Sequence, residues 1–316
     1  MNKVKRLWVL FVVLLLVGLL AACQKGAENP QPERLSVVAT TTIVGDVVQN
    51  VGGEQISLTV LLPPGADPHA FDPSPRDVAL VQDADLIFVN GAGLEEFLEP
   101  LIESAGGQEK VIDLSASLTL LELGDGPVAD EEHADEHAHE GADPHTWTDP
   151  HNVMIWTQTI AQALGEADPQ HAADYAARSQ AYLQTLADLD AWILAQVALI
   201  PEEERMIVTD HLTLGYFAQR YGFVQVGAIM PGYSTLAEPS AQELAGLEDA
   251  IRGQEVQAVF VGNTVNPQLA QRVADDTGVA LVFLYTGSLS EAGGEAATYK
   301  DYMVFNVTAI LQGLKR

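Results

Sequence analysis

Short apolar runs alternate with amphipathic stretches along most of this chain, beginning at Leu35. Apolar runs at 35–40, 56–62, 86–90 and 110–113 read as strands, with helical periodicity at 44–51, 75–82 and 94–104 between them. Strand–helix–strand order with near-continuous apolar strands predicts a parallel sheet covered on both faces. The scheme then repeats, with strands at 206–209, 224–229, 258–261 and 281–284 and helices at 214–221, 241–252, 267–277 and 298–314. The segment Leu86-Ile87-Phe88-Val89-Asn90-Gly91 is echoed by Val259-Phe260-Val261-Gly262-Asn263, each a buried strand ending in Asn and Gly. The expectation is an α/β protein with two similar parallel-sheet lobes, 35–167 and 201–316.

Between the halves, residues 170–200 contain neither Gly nor Pro. Asp168-Pro169 offers a capping Asp before a Pro at the first helical position, and Pro201 ends the run. One helix over 168–200 would span roughly 45 Å and act as a rigid strut. The stretch 125–141 (DGPVADEEHADEHAHEG) cannot bury a core and reads as a mobile loop.

The N-terminus has a separate logic. Lys3, Lys5 and Arg6 precede an apolar run from Leu7 to Ala22, which ends in Ala21-Ala22-Cys23. This resembles a bacterial lipoprotein signal, with 1–22 removed and Cys23 lipidated. Polar, Pro-containing residues 23–34 would then tether the domain to the membrane. Cys23 is the only cysteine, so the fold has no disulfide and no thiolate metal ligand. Asp and Glu number 44 against 15 Lys and Arg, a net charge of −29. That field disfavours nucleic acid and attracts cations.

Asp-Pro-His occurs three times, at 67–69, 143–145 and 149–151. Proline stiffens each loop, so the imidazole is presented in advance with a carboxylate nearby to hold its second nitrogen. Two longer strings carry more information: Pro64-Gly65-Ala66-Asp67-Pro68-His69-Ala70-Phe71-Asp72-Pro73 and Asp143-Pro144-His145-Thr146-Trp147-Thr148-Asp149-Pro150-His151. Together with Val208-Thr209-Asp210-His211 and the following Leu214-Gly215-Tyr216-Phe217, they resemble the ligand loops of the zinc and manganese binding proteins of bacterial ABC importers, the cluster 9 or ZnuA/TroA-like family. Glu238-Pro239-Ser240, Thr298-Tyr299 and Asn306 match further landmarks, so the resemblance runs from about Leu35 to Lys315.

The resemblance implies two lobes joined by one long helix, with one ion in the cleft between them. His69 and His145 would be ligands from the first lobe and His211 a ligand from the second. His151 occupies a non-ligand place in the family pattern and reads as a helix-entry residue, with Asp149 either orienting His145 or capping that helix. Many members supply a fourth ligand from Tyr-Thr-Asp-Ser-Leu, whereas this chain reads Tyr285-Thr286-Gly287-Ser288-Leu289. Water is the favoured fourth ligand, with Glu291 and Glu295 as weaker candidates. Three imidazoles and an open position suit Zn²⁺, and loss of a carboxylate disfavours Mn²⁺. His133, His137 and His139 would gather metal as accessory ligands in the acidic loop. The ligands must be neutral, so affinity is expected to fall as pH drops through about 6.5. The implied protein is a monomeric, lipid-anchored, extracytoplasmic component that delivers Zn²⁺ to a permease and its ATPase.

Two other functions share these residues. A surface adhesin or metal chaperone would differ only in partner. A secreted zinc hydrolase would use the three imidazoles and a zinc-bound water. The chain has no His-Glu-x-x-His pair, and Asp210 and His211, adjacent on an extended strand, are expected to point apart.

Overall fold

The computed structural model describes residues 34–98, 100–102, 107–122 and 141–315. The leader, Cys23 and the loop residues His133, His137 and His139 lie outside the described residues.

Each half builds a four-stranded parallel sheet. In the first, β1 (Leu35–Ala39) is flanked by β2 (Ile56–Val60) and β3 (Leu86–Val89), and β4 (Val111–Asp113) lies beyond β3. The second has β5 (Met206–Thr209) between β6 (Val224–Ala228) and β7 (Ala258–Gly262), with β8 (Ala280–Leu284) outermost. The two orders, β2-β1-β3-β4 and β6-β5-β7-β8, are the same topology. The echo between the two buried strands is therefore structural, since β3 and β7 hold equivalent places. Both are buried at every position. Helices between strands include α1 (Thr42–Gly52), α2 (Pro75–Asp83), α6 (Ala241–Gly253) and α7 (Gln268–Thr277). Sequence sets their starts. Ser74 with Asp77 and Ser240 with Glu243 form reciprocal capping boxes, and Pro75 sits where no helical N–H is needed. Within the described residues, the helix expected at 94–104 is a 3-10 turn at Glu96–Leu98 followed by helical residues 100–102.

The strut differs from its expectation. Asp168 does not start it. A separate helix, α3 (Pro150–Ala167), runs into Asp168, whose N–H caps the Leu164 carbonyl. The long helix α4 begins four residues later and spans Ala172–Val197. Asp-Pro stops one helix before the next begins, because Pro169 supplies no N–H to continue α3. The 26 residues of α4 extend roughly 39 Å. Asp168 Oδ2 instead binds His171 Nδ1 at 2.6 Å and accepts from the Tyr175 hydroxyl at 2.9 Å.

Packing makes the two lobes one body along the back of the cleft. A single apolar core joins Val37 and Phe88 of the first sheet to Ile207 and Phe260 of the second, through Trp156, Ile160, Tyr175, Leu186 and Ile193 of α3 and α4 and Tyr302 of α8 (Tyr299–Gly313). Separate clusters cover the other face of each sheet. Polar contacts close the seam. Arg220 in α5 (Gly215–Tyr221) donates to both Asp190 oxygens on α4 at 2.8 and 2.7 Å and lies 3.2 Å from Asp149, the N-cap of α3. Arg220→Ala would leave two carboxylates close together without their cation. The side chains keep some exposure, so the expected loss is about 2 kcal/mol, between the exposed-pair and buried-pair limits. Denaturant unfolding of the metal-free chain measures it, and an unchanged midpoint would refute it.

Candidate metal centre

All three predicted ligands leave the carboxyl ends of parallel strands. His69 follows β2, His145 follows β4 after a long excursion, and His211 follows β5 by two residues. Loops at these ends converge on the crevice between the sheets, where α/β proteins place ligands.

The side chains meet there. His145 Nε2 lies 3.2 Å from His69 Nε2 and 3.1 Å from His211 Nε2. One ligand atom from each of the three lies within 4.8 Å of the others, and no further His, Asp, Glu or Cys joins them among the described residues. Tetrahedral coordination at 2.0–2.1 Å places nitrogens about 3.3 Å apart, close to the distances seen. His145 and His211 are buried and His69 is half-buried.

Carboxylates orient two of the imidazoles. Asp143 Oδ1 lies 2.8 Å from His145 Nδ1, and Asp210 Oδ1 lies 2.6 Å from His211 Nδ1. A carboxylate oxygen that accepts from an imidazole Nδ1–H leaves the Nε2 lone pair of that ring free for a metal. Two lone pairs facing each other at 3.1 Å repel unless a cation lies between them. This is the donor chemistry of a metal site. Burial pushes the His145 imidazole well below its usual range, helped by neighbouring His211. Burial also lowers His69, with His145 and His211 adding to the effect. Both are thereby held neutral, as ligands must be.

Asp210 corrects the sequence reading. The strand ends at Thr209, and the turn brings Asp210 onto both the His211 N–H and ring. Its other oxygen accepts the Gly262 N–H at 2.5 Å. Asp143 Oδ2, by contrast, has no hydrogen-bond partner among the described residues, and burial pushes this carboxyl up to about 7. A side chain at Gly215 would collide with that oxygen, so glycine there lets the second lobe close on Asp143. Tyr216 adds a polar contact, its hydroxyl donating to the Asp143 carbonyl at 2.9 Å and accepting from the Leu121 N–H.

The remaining candidates separate. His151 is exposed in the first turn of α3, outside the cluster. Asp149 caps that helix through the His151 N–H at 2.8 Å and has no bond to His145. Glu291 and Glu295 are exposed and outside the cluster. Gly287 rests against Pro68, so the position that could have carried a carboxylate is filled by the ring of the first ligand loop.

Sequence reading missed the supports behind the ligands. Asn90 donates to the Pro144 carbonyl at 2.9 Å, and Asn263 accepts from the Thr286 N–H at 3.0 Å. Each Asn thus pins the loop after the neighbouring strand, which is what the Asn-Gly echo marked. Glu95 is buried and accepts from Thr40, Asn90 and Gly91 at 2.7, 2.7 and 3.0 Å. Burial raises its carboxyl to about 7 despite those bonds. No sequence signal distinguished Glu95 from a surface acid.

The family model described as "Zinc-uptake complex component A periplasmic" matches residues 37–313. A protein of Halalkalibacterium halodurans named "Manganese-binding lipoprotein MntA" is 35% identical over 311 residues, covering 97% of this chain and 98% of its own. A protein of Streptococcus gordonii named "Manganese ABC transporter substrate-binding lipoprotein scaA" is 32% identical over 317 residues, covering 97% and 98%. The periplasmic zinc binding protein TroA from Treponema pallidum superposes with a TM-score of 0.79 at 27% identity, covering 90% of this chain and all of that one.

Proposed function

The chain belongs to the ZnuA family of metal-binding components of ABC importers, and from that premise we propose that its cargo is Zn²⁺, held by His69, His145 and His211. Members of this family work outside the cytoplasm with a permease and an ATPase, and they are solute-binding proteins rather than enzymes. The observation that carries the zinc reading is the donor set. Three imidazoles converge, and no carboxylate oxygen joins them among the described residues. Borderline-soft Zn²⁺ accepts such a set with water as fourth ligand, whereas Mn²⁺ favours oxygen donors and higher coordination.

Manganese is the second reading, favoured by the names of the two relatives above. Competition decides between them. Protein purified without chelator, stripped, and offered equal Zn²⁺ and Mn²⁺ is expected to retain zinc. Retention of manganese under those conditions would overturn the zinc assignment.

The proposal extends to organisation. A leader of residues 1–22, Cys23 as lipid anchor, a tether over 23–34, lobes over 35–167 and 201–316, the connecting segment 168–200 and a monomeric state all suit a cell-surface capture protein. The names of the two relatives, both lipoproteins, support the anchor. Binding is proposed to tie His69 and His145 to His211 across the cleft, so that the loaded form is the closed one presented to the permease.

A further inference from the structure

One tripeptide is put to three uses in this fold. In each Asp-Pro-His the Asp Oδ1 accepts the histidine backbone N–H, at 3.0 Å for Asp67, 2.9 Å for Asp143 and 2.8 Å for Asp149. The three turns are therefore locally alike, and their different uses depend on tertiary surroundings. Asp143 Oδ1 also binds its own histidine ring, and Asp210 does the same for His211. Asp67 does not hold the His69 ring. Its second oxygen, Oδ2, accepts a 2.6 Å hydrogen bond from the Thr235 hydroxyl, which belongs to the other lobe.

The three ligands therefore differ in how they are fixed. His145 and His211 each carry a carboxylate partner, beside a seam closed by Tyr216, Trp147 and Tyr299. His69 is the half-buried one, and its loop meets the second lobe through Thr235, Ser288 and Gly287. The Ser288 hydroxyl accepts the Gly65 N–H at 2.8 Å, four residues before the ligand, and Gly287 packs on the Pro68 ring. Thr235 alone among these acts through the side chain that also holds the His69 N–H.

We infer that Thr235 is the positioning residue through which the second lobe sets His69 in the metal site. The inference rests on the metal-capture reading above. Lobe closure brings the Thr235 hydroxyl to Asp67, Asp67 orients the turn, and the turn delivers the third imidazole to a pair already oriented by their own carboxylates. Opening withdraws the hydroxyl and frees His69 first, leaving the ion on two ligands.

The test is the rate at which Zn²⁺ passes from the full-length protein to excess chromogenic chelator, for wild type, Thr235→Val, Thr235→Ser, and both Thr235 forms with Asp67→Ala. Thr235→Val keeps the shape and deletes the donor. Release is expected to speed up about tenfold, at the lower end of what a hydrogen bond to a charged acceptor contributes. Thr235→Ser restores the hydroxyl and is expected to release at the wild-type rate. With Asp67→Ala, threonine and valine at 235 are expected to release zinc equally fast, because their common partner is gone. Equal rates for wild type and Thr235→Val would overturn the inference, as would a valine effect that persists without the Asp67 carboxylate. Failure of the wild type to hold zinc in the same assay would instead defeat the metal reading, and the inference with it.

Discussion

His145→Ala is expected to abolish stable metal retention, with an affinity loss exceeding the roughly 10–100-fold that removal of an outer-shell partner costs. His145 is the central imidazole of the proposed site, because its Nε2 lies within 3.2 Å of the Nε2 atoms of His69 and His211. Deleting it leaves two imidazoles with no nitrogen between them. It also leaves Asp143, already lacking a partner for Oδ2 among the described residues, with only the backbone N–H of residue 145 on Oδ1. Among the described residues no other side chain places a metal-binding atom within the cluster to replace the lost donor. Metal analysis after dialysis against dilute chelator reads the outcome. His151→Ala is the matched control, because it alters the same tripeptide at an exposed place and should retain metal like the wild type. Stoichiometric metal in His145→Ala would refute the site.

Zinc affinity is expected to be about a hundredfold weaker at pH 5.5 than at pH 7.5, counting the two imidazoles whose basicity burial lowers. Free imidazole titrates near 6.5, whereas His69 and His145 are pushed below that range in the closed site. A lowered histidine pKa favours the closed, neutral form above about 6.5, and this preference is lost as pH falls from there toward the lowered values. With the metal-free site open and both imidazoles returned to solvent, each titrates near 6.5, so one unit below that value each costs roughly a factor of ten and the two multiply. Buried acids act in the opposite sense on the fold. Glu95 is raised to about 7 and Asp46 to about 6, mainly by burial, so each stabilises the folded chain in acid and loses that contribution as pH rises through those values. Neither side chain is a ligand, so their effect falls on loaded and free protein alike and largely cancels in the affinity. Calorimetric or chelator-competition titrations at the two pH values test this. Equal affinities would mean that protons do not compete for these nitrogens.

The legible part of the site was the part written locally. Asp-Pro-His tripeptides announce stiff loops with a histidine and an acceptor, and the longer strings around His69, His145 and His211 mark the three that converge, unlike His151. His151 shares the local turn of the other two, down to its Asx hydrogen bond. Its exclusion comes from where α3 carries it, outward to solvent. Asp210 shows the reverse error, because alternation along a strand holds only while the strand lasts, and this one ends at Thr209. The strut was misread at one end for a related reason. Asp168-Pro169 is a plausible helix start in isolation, but α3 already occupies the chain up to Ala167.

By itself, the sequence pointed to the class of fold, to three histidines that the structure brings together and to the absence of a side chain at Gly287. These come from periodicity, from proline's hold on the backbone and from residue chemistry, all of which act over a few positions. Tertiary structure decided which carboxylate serves which ring, which glycine admits the opposite lobe, and that Thr235 reaches Asp67 from 168 residues away. Those outcomes depend on how two sheets and the helices between them pack into one core. A hydrogen bond across a cleft has no period along the chain, so no local pattern could reveal it.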